Sequence, residues 1–74
     1  MKITFEDDSN AFMILFDNVI HIFVKKEYFS SFIAFYSDKL YHIEFCSKDN
    51  ALMHISYEEE YTWKEVITLL KDNL

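Results

Sequence analysis

Three histidines recur in the same local setting, as His-Ile pairs inside VIHIFV, LYHIEF and LMHISY. Neutral imidazole is a favoured zinc ligand, and a site of this kind keeps a fourth position open for water. His21, His42 and His54 are therefore the candidate metal ligands. No short-spaced His or Cys motif accompanies them, so amphipathic imidazoles packed among Phe and Leu account for the pattern more simply. Neither a metal nor any other cofactor is expected. Imidazoles packed in this way would weaken their contact on charging, below about pH 6.5.

Cys46 is the single cysteine. An activated thiolate needs an electropositive setting, and a chain without arginine and with few clustered lysines offers none. The serines and threonines are scattered. With no glycine there is also no sharp nucleophile elbow. The residues predict no catalytic constellation, and the chain is not expected to be an enzyme.

Two acidic runs, Glu6-Asp7-Asp8 and Glu58-Glu59-Glu60, remain. An EF-hand would require its own spacing and a central Gly, both missing here. A solvated, mutually repelling surface is the simple explanation. The functional alternative is steering, because a patch of one sign accelerates encounter with an oppositely charged protein. Tyr57, Tyr61 and Trp63 border the second run. Aromatics beside acids suit contact with Lys- and Arg-rich surfaces, cation–π contact included, although Trp63 also fits as the first core residue of a helix.

The chain that must position these groups has 74 residues and a mass of 9.0 kDa, enough for one small domain over 1–74. It is 51% apolar and 19% aromatic, so it is expected to fold. The absence of Gly and Pro excludes Gly-rich phosphate loops, dinucleotide fingerprints and collagen-like repeats. Net charge is −6 with no arginine, which argues against direct binding to nucleic acid and against anionic membrane surfaces. A lone cysteine and an N-terminal MKITFEDD without an apolar stretch suit a reducing cytoplasm, or the host cytoplasm if the chain is phage-borne.

Residues 2–5 read as a short strand followed by a polar turn. Runs 11–16 and 19–24, split by Asp17-Asn18, carry a hairpin signal. A second hairpin spans 32–36 and 40–45 around Ser37-Asp38-Lys39, with a helical turn admissible near 26–31, and a further strand covers 51–57. Trp63, Val66, Ile67 and Leu70 share one helical face, and Thr62 with Glu65 forms a capping box, with Tyr61 and Val66 as a hydrophobic staple. The expectation is an α+β fold: a hairpin-rich antiparallel sheet of four to five strands over about 2–57, and one C-terminal helix over about 63–72 packed on one face.

In the simplest register, one side of the sheet carries Met13, Leu15, Ile22, Val24, Phe35 and Ile43 and lies under the helix. The other side carries Phe12, Ile14, Phe16, His21, Phe23, Tyr36, His42 and His54, with His42 opposite His54. That side is too apolar for a solvated back, and a helix of ten residues, about 15 Å long, cannot cover both. Another chain, identical or foreign, is the favoured cover; strong curling or closure toward a barrel is the alternative.

The leading functional expectation is a small acidic interaction module that occludes a basic, nucleic-acid-handling protein such as a nuclease. Glu6, Asp7, Asp8, Glu58, Glu59 and Glu60 would supply charge, and Phe12, Phe16, Phe23, Tyr36, Tyr57, Tyr61 and Trp63 the aromatic contact. Phage-borne inhibitors of host defence, nucleic-acid mimics and immunity proteins share this profile of size and charge, a likeness of composition alone. The alternative is a homo-oligomeric structural or regulatory module, such as a homodimer paired through the apolar back of its sheet.

Overall fold

Without glycine, the tight reversals fall to other residues. In the computed structural model, which describes residues 1–74, Asp17, Asn18, Asp38 and Lys39 have φ of 50°, 67°, 54° and 66°. Two successive left-handed residues make the two-residue turn whose twist matches antiparallel strands. Asn and Asp tolerate this region; Lys39 occupies it at a cost of about 1–2 kcal/mol.

The elements are β1 (Ile3–Asp7), β2 (Ala11–Phe16), β3 (Val19–Lys25), β4 (Ser31–Ser37), β5 (Leu40–Cys46), β6 (Ala51–Tyr57) and α1 (Glu60–Asn73). The α+β class and the antiparallel pairing are as the sequence predicts. The single sheet is not: the strands form two three-stranded sheets, ordered β1-β2-β3 and β4-β5-β6. The break falls at 26–30, where the amides of Tyr28 and Phe29 both donate to the Lys25 carbonyl. This turn sends Phe29 inward, edge-on to Phe12 at 5.0 Å and 6.4 Å from Phe45, so β3 and β4 enter different layers.

Both hairpin registers depart from the simplest one. Ile14 pairs with Ile22 and Leu15 with Ile20, leaving His21 as the extra residue of a bulge. Beyond it Phe12 faces Val24, not Phe23. In the second hairpin the turn is Asp38-Lys39 alone, so Ser37 pairs with Leu40 and Phe35 with His42. Each one-residue slip exchanges the faces of a strand. The core therefore takes Phe12, Ile14, Ile22 and Val24 from the first sheet and Ile43 and Phe45 from the second, closed by Val66 and Leu70 of α1.

The helix begins at Glu60, earlier than the predicted 63, so Thr62 lies inside it and its capping box with Glu65 does not form. Glu59 is the N-cap and makes no side-chain bond, and Tyr61 is 76% exposed, so no staple forms either. Acidic residues at this end are favourable to the helix dipole. The predicted face of Trp63, Val66, Ile67 and Leu70 is the one that meets the core.

Much of the second apolar layer is thus covered from within, by sheets that face each other. The exposed area, 4979 Å², is near the roughly 4,850 Å² expected of a folded monomer of this mass. What stays exposed is a smaller apolar set, including Ile20, Phe23, Ile33, Phe35 and Leu52. No helix is long and apolar enough to cross a membrane.

Candidate partner-binding surface

The two acidic runs lie at opposite ends of the molecule. Asp7 pairs with Phe12 at the start of β2, whereas Tyr57, which leads into Glu58, pairs with Tyr41 beside the Asp38-Lys39 turn. The first run is largely occupied by the fold. Asp8 Oδ1 accepts the amides of Asn10 at 2.7 Å and Ala11 at 2.8 Å, and these bonds hold its pKa below the usual Asp value. Asp7 forms an ion pair with Lys26, whose ammonium also reaches the Asp8 carbonyl. Only Glu6 of that run makes no such contact.

The second run closes an aromatic row. Tyr36 on β4 packs on Tyr41 of β5 at 4.6 Å between centroids, and Tyr41 packs on Trp63 of α1 at 5.2 Å. Trp63 Nε1 donates to the His42 carbonyl at 2.9 Å, which satisfies its one polar group and fixes the helix start against β5. The Tyr41 hydroxyl donates to Glu60 Oε2 at 3.1 Å, and Lys64 pairs with Glu60 at 2.6 Å one turn along α1. The bond to Glu60 holds the Tyr41 phenol neutral to higher pH than usual, while Lys64, with Tyr41, lowers the Glu60 pKa. Glu58 and Glu59 are exposed next to this row, and Tyr36 and Tyr61 stand 57% and 76% exposed. Glu58, Glu59, Tyr36 and Tyr61 are thus exposed at this end of the second sheet, whereas Tyr57 and Trp63 are half-buried.

The remaining expected aromatics separate. Phe12 is fully buried between Phe5, Phe29 and Phe45 and offers no surface. Its place in the partner-binding set is corrected by the β2–β3 register. Phe16 is half-buried under the His21 ring at 3.9 Å, and Tyr57 is half-buried with its hydroxyl 3.0 Å from His21 Nε2. Burial pushes the Tyr57 phenol up to about 12 and lowers the His21 pKa. Phe23, 49% exposed, borders a shallow apolar groove of 200 Å³ between β3 and β6, lined also by Val24, Tyr28, Leu52 and Met53.

The three imidazoles do not converge. His42 Nδ1 and His54 Nε2 lie 2.9 Å apart on the outward side of the second sheet, with Phe35 stacked on His42 at 4.8 Å. His54 stands opposite Glu44, and His42 opposite Ser56; the two histidines meet diagonally. His42 Nε2 is 2.9 Å from the Ser37 carbonyl, an acceptor, so it carries the proton there. With His42 neutral, Nδ1 then accepts and His54 Nε2 donates. His21 belongs to the other sheet, and no cluster of three His, Cys, Asp or Glu side chains is arranged to hold a metal ion. Cys46 rests against the Glu44 carbonyl and carboxylate, and desolvation followed by the Glu44 charge raises its pKa, which disfavours the nucleophilic thiolate.

Tyr41, Phe35 and Ile33 are surface or row members that sequence reasoning did not select. The signal for them was a two-residue turn at Asp38-Lys39, masked because lysine is not a usual left-handed residue. Comparison with protein-family models, with curated proteins and with solved structures finds no match to this chain.

Proposed function

We propose that this chain is a small acidic interaction module that acts by covering a basic surface of another protein. The partner class it suits is a nucleic-acid-handling protein such as a nuclease, in the manner of phage- or mobile-element-borne inhibitors, nucleic-acid mimics and immunity proteins. The observation that carries the reading is the row Tyr36–Tyr41–Trp63 ending at Glu58, Glu59 and Glu60. Tyr36, exposed and already packed on the half-buried Tyr41, loses little side-chain freedom on binding, and neighbouring carboxylates attract Lys and Arg.

The test is calorimetric titration of the basic protein retained by this chain from its source cell or that cell's host. Affinity is expected to fall as salt is raised, since salt screens exposed charges. Glu58→Lys is expected to weaken binding roughly tenfold, about 1.4 kcal/mol, and Tyr36→Ala by a similar factor. Affinity unchanged by salt and by both substitutions would remove this corner as the contact. Self-association is the second reading, favoured by the uncharged outer strand of the second sheet.

A further inference from the structure

The structure has four sheet edges, and three of them have neighbours. Helix α1 packs against β1, while β3 and β6 meet through side chains, at His21–Tyr57 and across the groove between Phe23 and Leu52. Strand β4 has β5 as its one substantial neighbour. Its sequence, SFIAFYS, holds no charge, Pro or Gly, and its register with β5 runs without a bulge from Ser31 to Ser37. Protected edges carry charges, prolines or bulges to discourage pairing. This one carries none.

We propose that β4 is a self-recognition edge, pairing antiparallel with β4 of a second copy about a two-fold axis at Ala34. Two features select a second copy as occupant. The first is backbone phase. Ser37 and Leu40 close a two-residue turn, so they exchange both backbone bonds, as do alternate pairs along the hairpin. The N–H and C=O groups of Phe32, Ala34 and Tyr36 therefore point away from β5, and none of them is engaged by a turn, loop or side chain. Pairing centred on Ala34 sets Phe32 opposite Tyr36 of the second copy and Ala34 opposite Ala34. Every outward donor then meets an outward acceptor.

The second feature is the side-chain order, which reads almost the same in both directions from Ala34. Ser31 would face Ser37, Phe32 would face Tyr36, and Ile33 would face Phe35. Hydroxyl pairs, aromatic pairs and aromatic–β-branched pairs are all favourable across antiparallel strands. With a net charge of −6, two copies repel wherever acids meet; the uncharged edge is where they need not. The interface is isologous and uses up both edges, so assembly stops at two. It would extend the second sheet to six strands and join the Ile33 and Phe35 sides of both copies. This contact shares Tyr36 with the proposed partner surface but leaves Glu58, Glu59 and Trp63 outside the pairing.

Sedimentation equilibrium of the whole chain tests it, over roughly ten micromolar to one millimolar. The expected mass is about twice 9.0 kDa at the upper end, with amide protection of Phe32, Ala34 and Tyr36 rising in step with the dimer. Ala34→Pro removes an N–H that points away from β5, so the hairpin survives and the mass returns to that of one chain. Ala34→Lys places like charges across the axis and is expected to do the same at low salt. A monomer at every concentration overturns the proposal and leaves the edge to a foreign strand. So does a dimer that persists in both variants while those amides exchange freely, because that dimer uses a sheet face.

Discussion

Phe12→Ala separates the register of this fold from the simplest alternative. Phe12 is fully buried and contacts Phe5, Phe29 and Phe45 at centroid distances of 5.9, 5.0 and 6.1 Å. Truncation of a buried Phe costs about 3–5 kcal/mol. Each lost aromatic pair contributes about 0.5–1.5 kcal/mol beyond area, which places this site at the upper end. A chain of 74 residues has a total stability of roughly 4–11 kcal/mol, at about 0.05–0.15 kcal/mol per residue. The substitution thus removes a third or more of the folding free energy. Met13, next in sequence and only partly buried, is the control. Met13→Ala is expected to cost about 1 kcal/mol, like most point changes. Urea denaturation followed by Trp63 fluorescence reads both, because Trp63 sits between α1 and β5 and leaves that site on unfolding. Near-equal costs, or Met13→Ala as the larger, would refute the bulge at His21 and with it the division of the core.

Lys39→Gly relieves a left-handed lysine, and is expected to raise stability by about 0.5–1 kcal/mol after the entropy cost of glycine, or a few degrees in Tm. A loss of stability would mean that the Asp38-Lys39 turn is not the one that forms. Burial lowers the His21 pKa below 6.5, so the unfolded chain takes up a proton more readily there than the folded chain. Stability is then full above 6.5 and falls as pH drops through that value toward the lowered folded-state pKa. His21→Phe should flatten this part of the stability–pH curve, and an unchanged slope would show that the ring is solvated. Tyr57→Phe removes the hydroxyl that meets His21 and is expected to cost about 1 kcal/mol, read by thermal melting; a gain in Tm would exclude that bond.

Composition, periodicity and turn residues determined much by themselves. Alternating apolar runs gave the strands. The spacing of Trp63, Val66, Ile67 and Leu70 gave the helix and its buried face. Asp17-Asn18 gave a hairpin, and the charge balance gave an acidic surface with aromatics beside Glu58–Glu60. These are local properties, legible because side-chain period and backbone preference act over a few residues. The faces of the strands were decided by tertiary structure. A bulge at His21 and a left-handed Lys39 each slip a register by one residue. No local signal marks the bulge, and a lysine in the left-handed position hides that of the two-residue turn; each slip is stabilised by the core it creates. Phe29, reaching between Phe12 and Phe45, turned one expected sheet into two, because burying two apolar layers against each other removes more nonpolar area from water than leaving one side bare. The same rearrangement moved Phe12 from surface to core, parted His21 from His42 and His54, and left β4 as the bare edge.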